Sequence, residues 1–301
     1  CGYDRVSFDS SLYISKDFGA NWTLVSNIVG TGEGTAPQVV CDSTAKNIIY
    51  CNTENVYLST DFGNSFKLTT FPIDPNPDTE EYNISVSIGG SRDLNSINMY
   101  CVKGGYSDGF KIFRSEDLGI IWTEVYSSSF LILRIASALS NGYSYTFVAS
   151  DGNITELYNL ISVDYGDSWT KQQYINNILA KRQTIGNITT DNEGLNVIVS
   201  FRIGNDVYPQ ISKNRSANYN RIVTKTGDSQ YLIISTNTGP TTIDRNGYNF
   251  LCVNSVSSLN SNSQIYIQDT REDFAIKLSE EIKQWTTLSL TDQTGPASNV
   301  I

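Results

Sequence analysis

The octapeptide Ser59-Thr-Asp61-Phe-Gly63-Asn-Ser-Phe66 carries the pattern that decides the fold of this chain. Its arrangement, Ser-x-Asp-x-Gly-x-x-aromatic, occurs four times, and we number these octapeptides as boxes 1 to 4. Their defining residues are Ser15, Asp17, Gly19 and Trp22 in box 1, Ser59, Asp61, Gly63 and Phe66 in box 2, Ser115, Asp117, Gly119 and Trp122 in box 3, and Ser162, Asp164, Gly166 and Trp169 in box 4. A pattern that returns along the chain in this way indicates a repeat architecture.

Each defining residue suits a tight turn between two strands. The Ser and Asp oxygens can accept backbone N–H groups a few residues further on, and the Gly supplies a positive φ. The aromatic residue then buries a large apolar area where the next strand starts. Short strand-like segments flank box 2, Val56-Tyr-Leu before it and Lys67-Leu-Thr after it, so we predict a strand–turn–strand unit.

Two weaker copies follow the four boxes. Box 5, Ser212-Lys-Asn214-Arg-Ser216-Ala-Asn-Tyr219, keeps the frame with Asn in place of Asp and Ser in place of Gly. A sixth copy begins at Ser279, and we align the segment 274–278 before it with the strand that enters box 3. The six serines lie 44, 56, 47, 50 and 67 residues apart.

Two further strands are predicted upstream of each box. We expect the second strand of each unit at 47–51, 98–101, 145–149, 197–200 and 249–252. We expect the first strand at 38–41, 84–88, 131–135, 184–188 and 231–234. Four short strands that repeat every forty to fifty residues or so predict the blade of a β-propeller, with the box at the turn between the third and fourth strands.

The first unit has no first strand in this alignment, because only the segment 5–8 precedes its box. The chain ends in Pro296-Ala-Ser-Asn-Val-Ile301, and we predict that this tail supplies the missing inner strand. The predicted fold class is all-β. It is a single domain, 1–301, that forms a six-bladed β-propeller of four-stranded antiparallel blades, closed by the C-terminal strand that completes the first blade.

The box pattern resembles that of the Asp-box family, also called the bacterial neuraminidase repeat. The resemblance covers nearly the whole chain and implies a propeller similar to those of sialidases, sortilin-type receptors, photosystem assembly factors and some glucan hydrolases. In that family the boxes lie at the outer rim, away from the ligand face. The resemblance therefore implies that Asp17, Asp61, Asp117 and Asp164 are structural rather than catalytic, and it does not by itself imply an activity.

Composition excludes several classes of partner and chemistry. With 21 Lys and Arg against 31 Asp and Glu, the net charge is −10, which argues against nucleic acid and anionic membranes as partners. The chain has no His, so imidazole catalysis and His-ligated metal sites are excluded. The longest apolar run, 130–139, is interrupted by Arg134, so we expect no transmembrane segment.

The chain begins with Cys1-Gly2 and has no initiating Met, which is typical of a processed or trimmed sequence. Cys1 could carry the lipid of a bacterial lipoprotein. We expect the protein on a cell surface, in an extracellular structure or in a virus particle.

Three of the five cysteines, Cys51, Cys101 and Cys252, occupy the same place in three different units. Equivalent points on separate blades are expected to lie too far apart for a disulfide, whose Cα atoms approach within about 7 Å. We therefore predict free thiols that act as small buried apolar residues. Cys1 and Cys41 remain, and the sequence gives no reason to pair them.

Candidate binding residues lie in loops that propellers of this kind place on the ligand face. These loops join the fourth strand of one blade to the next blade, and the second strand to the third. The candidates are Glu33, Asp74, Asp78, Glu80, Glu81, Tyr106, Asp108, Arg182, Arg202 and Asp206. The acidic loop 71–81 could bind Ca²⁺ through oxygen ligands, but a solvated loop that aids solubility is the simpler interpretation, so we predict no metal and no cofactor.

The leading functional hypothesis is a non-catalytic module for binding or assembly, with a protein or glycan partner or with further copies of itself. Sialidase chemistry needs three arginines around a carboxylate, a Tyr–Glu pair and an Asp. The early Arg-Ile-Pro signature of that family is missing, although Arg134, Arg182 and Arg202 could face the centre. A secreted glycoside hydrolase or a carbohydrate-binding propeller is the alternative.

Overall fold

In the computed structural model, every regular element of the described residues is a β-strand. The structure describes residues 2–3, 10–17, 20–25, 28, 38–52, 55–72, 85–93, 96–105, 109–129, 131–149, 157–173, 183–203, 206–217, 219–221, 223–226, 229–232, 241–243, 246–247, 249–254, 264–269 and 276–277. The all-β prediction is confirmed.

Five four-stranded antiparallel sheets make up most of the described chain. We number them 2 to 6, so that sheet 2 carries box 2. Sheet 2 contains β5 (Gln38–Cys41), β6 (Ile48–Cys51), β7 (Val56–Ser59) and β8 (Lys67–Leu68). Sheet 3 contains β9 (Ser85–Gly90), β10 (Ile97–Gly105), β11 (Gly109–Ser115) and β12 (Thr123–Ser128). Sheet 4 contains β13 (Leu131–Ser137), β14 (Ser144–Ala149), β15 (Leu157–Ser162) and β16 (Thr170–Gln173).

Sheets 5 and 6 follow the same plan. Sheet 5 contains β17 (Gln183–Thr190), β18 (Val197–Ile203), β19 (Asp206–Ser212) and β20 (Asn220–Arg221). Sheet 6 contains β23 (Thr241–Ile243), β24 (Asn249–Asn254), β25 (Gln264–Asp269) and β26 (Ile276–Lys277). A hairpin of β21 (Val223–Thr226) and β22 (Ser229–Leu232) lies between them in the chain. The N-terminal strands are β1 (Gly2–Tyr3) with β2 (Ser10–Ser11), and β3 (Tyr13–Ile14) with β4 (Thr23–Leu24).

In every four-stranded sheet, strands that follow each other in the chain are hydrogen-bonded neighbours. The first-to-second and third-to-fourth connections therefore share one end of the sheet, which we call the box end. Contacts within each sheet agree with this: the N–H of Phe62 in box 2 donates to the carbonyl of Lys46, and that of Tyr165 in box 4 donates to the carbonyl of Gly142. The remaining connections lie at the opposite end, which we call the open end.

The first strands of successive sheets contact one another in the order β5, β9, β13, β17, β23. Such a series of inner strands with sheets radiating outward is the arrangement of a β-propeller. Sheets 2 to 4 are each buried on both faces, so successive residues of their second strands are mostly apolar. In β6, Ile49 and Cys51 pack with Met99 of sheet 3, whereas Tyr50 packs on the other side with Leu12.

The predicted first and second strands agree with sheets 2 to 5, and β5 coincides with the predicted 38–41. The prediction for sheet 6 is wrong. The segment expected as its first strand, 231–234, overlaps β22, which pairs with β21 across the two-residue connection Gly227-Asp228. Such a short connection containing Gly favours a tight hairpin. The first strand of sheet 6 is instead β23.

The predicted position of the sixth box is also wrong. In the structure, β25 is the third strand of sheet 6 and β26 is the fourth. The connection between the third and fourth strands is therefore the segment 270–275, and Ser279 follows the fourth strand in the sequence. The register error arises because neither a Gly nor a Ser–Asp pair marks the true turn.

Two predictions about the chain ends remain open. The strand that pairs before box 1 is β1, with Gly2 opposite Ser11, whereas the predicted segment 5–8 lies outside the described residues. The closing tail 296–301 also lies outside the described residues.

Candidate functional site

Box 4 shows how the repeated octapeptide holds its turn. The buried Oγ of Ser162 donates to Oδ1 of Asp164 at 2.9 Å and accepts the N–H of Gly166 at 2.8 Å. Asp164 in turn accepts the backbone N–H of Ser168 at 2.9 Å and its hydroxyl at 2.6 Å. Box 2 repeats all four hydrogen bonds. Box 3 repeats three of them, and the fourth is missing because Ile121, which has no hydroxyl, occupies the position of Ser168.

The glycines have the positive φ that the sequence predicted, from 77° to 84° in boxes 2 to 4. A Cβ at Gly166 would also lie 2.8 Å from Cε1 of Tyr100 in the preceding sheet, so this glycine allows two sheets to approach closely. The residue before each glycine also has a positive φ, for example Tyr165 at 65°. The sequence analysis missed this position because different residue types occupy it. In box 5, Arg215 and Ser216 keep the same two conformations without a glycine.

The aromatic residues that end the boxes do not all behave alike. Phe66 is buried. Trp122 packs as a partly buried residue against the core between sheets 2 and 3, and Trp169 against the core between sheets 3 and 4. Trp22 is 46% exposed, so the prediction that every box aromatic is buried is wrong for box 1. Box 1 keeps the polar part of the turn, since Asp17 accepts the N–H of Asn21 at 2.8 Å.

The hydrogen bonds of the boxes keep their carboxylates ionised. Side-chain and backbone donation by Ser65, with help from Ser59, lowers the pKa of Asp61 from 3.8 to about 2. For Asp164, partial burial opposes ionisation, but the donors of Ser168 and Ser162 outweigh it and the pKa lies below its usual value. A carboxylate in this setting is a poor proton donor near neutral pH.

A second type of acidic turn, which the sequence analysis did not identify, occupies the first-to-second connection. Asp42 accepts the N–H groups of Thr44, Lys46 and Asn47, the first at 2.9 Å. Asp191 does the same for Leu195 and Asn196. The sequence does contain a pattern that would have identified this turn. An Asp stands five residues before an Asn near the start of the second strand, and the same spacing recurs at Asp244 and Asn249.

An ionic cluster joins sheets 3 and 4 at the box end. Arg114, at the end of β11, donates to Oδ1 of Asp167 in box 4 at 2.5 Å and to the carbonyl of Tyr165 at 2.6 Å. Arg92 donates to the other oxygen of Asp167, and its guanidinium lies 5.5 Å from the ring centroid of Tyr165. Donation by Arg114 and then by Arg92 holds the pKa of Asp167 below its usual value.

Most of the candidate binding residues lie outside the described residues. These are Glu33, Asp74, Asp78, Glu80, Glu81, Tyr106, Asp108 and Arg182. The strand pairing of Arg202 and Asp206 is known. Arg202 in β18 pairs with Val207, and Asp206, at the start of β19, pairs with Ile203. The structure thus brings these two positions to the same hairpin, at the open end of sheet 5.

The inner strands begin at the open end and are joined there by side chains. Oε1 of Gln38 in β5 accepts the N–H of Val86 in β9 at 3.0 Å. Oγ of Ser85 in β9 accepts the N–H of Ile135 in β13 at 3.2 Å. The inner strands β5, β9, β13, β17 and β23 contain one charged residue, Arg134, and no Asp or Glu.

A β-bulge presents Arg134. Ile132 pairs with Val148 and Ile135 with Thr146, so residues 133 and 134 lie opposite Phe147 alone. Bulges of this kind redirect side chains and are common beside functional sites. The Arg134 side chain is half-buried, and this burial lowers the pKa of its guanidinium, which remains charged at neutral pH.

Cys51 and Cys101 are buried thiols outside any disulfide, as predicted, and Cys41 is exposed. Burial raises the pKa of Cys51 to about 12, although the positive charge of Arg134 opposes this change. Burial likewise raises the pKa of Cys101. Neither buried thiol is therefore a nucleophile at neutral pH.

Two observations on the described part of the chain bear on cofactors and membranes. Its residues form no group of three or more Cys, Asp or Glu side chains that could hold a metal ion. It also has no helix with the length and hydropathy of a membrane span.

The similarity of this chain to a known protein in sequence is limited to part of its length. The chain matches no family model. A xyloglucanase of Hypocrea jecorina (strain QM6a) is 27% identical over 120 residues, which make up 40% of this chain and 13% of the xyloglucanase. This chain therefore corresponds to a small part of that relative.

Solved structures give a stronger likeness in fold. The GH74 xyloglucanase from Xanthomonas campestris has a TM-score of 0.55 at 12% identity, with 88% of this chain and 41% of that chain covered. The Aleuria aurantia lectin in complex with Fucα1-6GlcNAc has a TM-score of 0.54 at 11% identity, with 86% and 84% covered. At these identities the likeness shows the fold alone: the chain is an all-β propeller of four-stranded antiparallel sheets.

Proposed function

We propose that this chain is a non-catalytic propeller of the Asp-box type that binds glycans at its open end. In this proposal it has six blades and the tail 296–301 completes the first. The order of contacts among the inner strands β5, β9, β13, β17 and β23 supports the ring arrangement. The sequence alignment, in which the first unit has no first strand of its own, is the reason to assign that strand to the tail. The boxes, including Asp61 and Asp164, are the rim that fixes the blades.

The absence of acidic residues from the five inner strands is the observation that carries the non-catalytic proposal. Glycoside hydrolysis commonly requires two carboxyl groups within about 5 to 9.5 Å of each other at the sugar. The described acidic residues of boxes 2 to 4 lie instead at the box end, where donors occupy their oxygens. A propeller with this charge distribution is better suited to holding a sugar than to cleaving one.

A glycan is the ligand class that we favour. The lectin with a similar fold is bound to a fucosylated disaccharide, and the relatives in sequence and fold include xyloglucanases. On this proposal the ligand contacts the open-end loops, with the candidate residues Asp74, Tyr106 and Asp108, together with Arg202 near the end of β18, and it needs no metal or cofactor. A location outside the cell, where glycans are abundant, is part of the same proposal, and a protein partner would use the same face.

The test measures binding and cleavage together. The purified chain is incubated with xyloglucan and with a fucosylated oligosaccharide; affinity electrophoresis reports binding and a reducing-end assay reports cleavage. We expect retarded migration with at least one glycan and no new reducing ends. New reducing ends that disappear in Asp74→Asn or Asp206→Asn, but not in the rim variant Asp93→Asn, would overturn the non-catalytic proposal. Unchanged migration with both glycans would count against a glycan ligand.

The alternative, a glycoside hydrolase, is favoured by one observation. A segment of 120 residues is 27% identical to part of a xyloglucanase, so the likeness to xyloglucanases extends to the sequence as well as to the fold. The acidic open-end residues Asp74, Asp78, Glu80 and Glu81 would then be the candidates for the two carboxyl groups.

A further inference from the structure

We propose that Asn21 in box 1 is a modification site that takes an N-linked oligosaccharide, and that this oligosaccharide covers the exposed side chain of Trp22. The inference rests on one part of the proposed function, the location outside the cell, because this modification is typical of surface loops of secreted proteins. It concerns a box, and not the open-end loops to which the proposed function assigns a ligand.

The first step is the acceptor sequence. Asn21-Trp22-Thr23 fits the pattern Asn-x-Ser/Thr, in which x is any residue except Pro. The same pattern also begins at four other positions, so it does not select Asn21 by itself. These positions are Asn83, Asn153, Asn187 and Asn214.

Exposure distinguishes the Asn21 pattern from the others that the structure describes. Its three residues are all exposed. In the pattern that begins at Asn187, the middle residue Ile188 is buried within the inner strand β17. In the pattern that begins at Asn214, the hydroxyl residue Ser216 is buried. Of the three patterns whose residues the structure describes, the one at Asn21 therefore has both its Asn and its hydroxyl residue exposed.

The second step is that glycosylation is compatible with the turn of box 1. Nδ2 of Asn21 donates to Oδ2 of Asp17 at 2.6 Å, which is the bond that the hydroxyls of Ser65 and Ser168 make in boxes 2 and 4. A hydroxyl has one hydrogen to donate, whereas a side-chain amide has two. One N–H of Asn21 is enough for the bond to Asp17, and a sugar can replace the other hydrogen.

The transfer requires a lipid-linked oligosaccharide diphosphate as the donor. The bond between C1 of the first sugar and the diphosphate oxygen breaks, and a bond between that C1 and Nδ2 of Asn21 forms. Nδ2 loses one proton, and the lipid diphosphate leaves. The hydroxyl of Thr23 completes the pattern that the transferase recognises.

The third step is the apolar surface beside Asn21. Trp22 is 46% exposed and Leu24, in β4, is 49% exposed, whereas the equivalent aromatic residue of box 2, Phe66, is buried. Exposed apolar side chains that lie together are typical of contact surfaces. The flat face of an indole is apolar, and the C–H groups of a sugar ring pack against such a face. An oligosaccharide on Asn21 starts at the residue next to Trp22 and is therefore placed to cover it.

The experiment identifies occupied sites by mass spectrometry. The full chain is secreted from cultured mammalian cells behind a cleaved signal peptide. Digestion with peptide N-glycosidase F in heavy-oxygen water converts each glycosylated Asn to a labelled Asp. We expect the label at Asn21 in most of the folded, secreted chain.

Three variants test the assignment. Asn21→Ser gives box 1 the same residue as boxes 2 and 4 at this position, so it keeps a donor for Asp17, and we expect complete loss of the glycan. Thr23→Val removes the hydroxyl and is expected to abolish the modification at Asn21. Thr23→Ser is the matched control that is expected to retain it. If Asn21→Ser is not secreted, Thr23→Val decides.

Oxidation by hydroxyl radicals, read out on individual peptides, tests whether the oligosaccharide covers Trp22. We expect Trp22 to be oxidised several-fold more slowly in the glycosylated chain than in Asn21→Ser or Thr23→Val. Trp169, which is partly buried in box 4, is the internal control and is expected to react at the same rate in all of them.

Two results would overturn the inference. One is a folded, secreted chain without the label at Asn21, and the other is an equal rate of Trp22 oxidation with and without the glycan. Failure of the proposed function is detected separately, by affinity electrophoresis and the reducing-end assay. An unlabelled Asn21 in a chain that binds xyloglucan would remove this inference alone, whereas a labelled Asn21 in a chain that binds neither glycan would remove the glycan ligand alone.

Discussion

The serine that opens each of boxes 2 to 5 is a buried hydroxyl with at least two hydrogen bonds, and its removal is the simplest test of what the boxes contribute to stability. In Ser162→Ala the N–H of Gly166 is left buried without its acceptor, and Asp164 loses a donor. We expect the free energy of unfolding to fall by about 1–3 kcal/mol. Urea denaturation measures it, with the exposed Ser129→Ala as the control. Equal stabilities of the two variants would contradict the role of the hydroxyl.

The rim carboxylates predict how stability depends on pH. Asp61 has a folded pKa of about 2 against 3.8 for the free side chain, mainly because Ser65 donates to it. A lowered folded pKa stabilises the fold above the unfolded value, and this stabilisation is lost as the pH falls from about 4 toward 2. We expect the urea midpoint to fall across that interval in the unaltered chain, and to fall less in Asp61→Asn.

Because the chain has no His, no side chain with an ordinary pKa titrates between pH 6 and 8. The urea midpoint is therefore expected to be flat in that range. A midpoint that is constant down to pH 2.5 would contradict the lowered pKa values of the boxes.

Sequence alone predicted the polar chemistry of the boxes because it depends on a few short side chains at fixed spacing. It did not predict the positive φ of Tyr165 or Arg215, since the turn imposes that conformation on whichever residue is there. It also did not predict the exposure of Trp22, because burial depends on what lies beside the box in space.

Between sheets 3 and 4, the contact of Asp167 with Arg92 and Arg114 is expected to depend on salt. Asp167 is 37% exposed, so its pairs with the two arginines are worth at most about 1 kcal/mol. We expect Asp167→Asn to lower the thermal midpoint in 50 mM NaCl, with the difference from the unaltered chain shrinking in 1 M NaCl.

Glu124→Gln is the control for this contact, because Glu124 pairs with Lys111 within sheet 3. The control is expected to change the midpoint little at either salt concentration. A loss in Asp167→Asn that is the same in low and high salt would show that ionic pairing is not what this carboxylate contributes.

The strands of sheets 2 to 5 were predictable because the box at each third turn sets the register of the whole unit. β5 and β14 agree with their predicted segments to within one residue. Sheet 6 was assigned wrongly because its third turn has lost the Ser, Asp and Gly that mark the others. In addition, the hairpin β21–β22 lies between sheets 5 and 6 in the chain, so the strands of sheet 6 come later than the repeat spacing predicts. The open-end loops could not be predicted in detail, since no repeated chemistry constrains them.

Ring closure by the C-terminal tail is the proposal that concerns the entire fold. If the tail completes the first blade, removal of 296–301 exposes the edge of that blade and opens the ring. We expect the truncated chain to unfold at a lower temperature and to have a larger radius of gyration by small-angle X-ray scattering. Val300→Asp is expected to act in the same direction, and Asn299→Asp much less. An unchanged midpoint on truncation would contradict closure by this segment.

The division of the molecule into a structural box end and a binding open end is the central claim. Hydrogen–deuterium exchange of the intact chain, with and without a saturating fucosylated oligosaccharide or xyloglucan, tests it most directly. The account predicts slower exchange in peptides that cover 38–41 and 131–137, and unchanged exchange in the boxes at 59–66 and 162–169. Protection confined to the boxes, with no change at the inner strands, would contradict it.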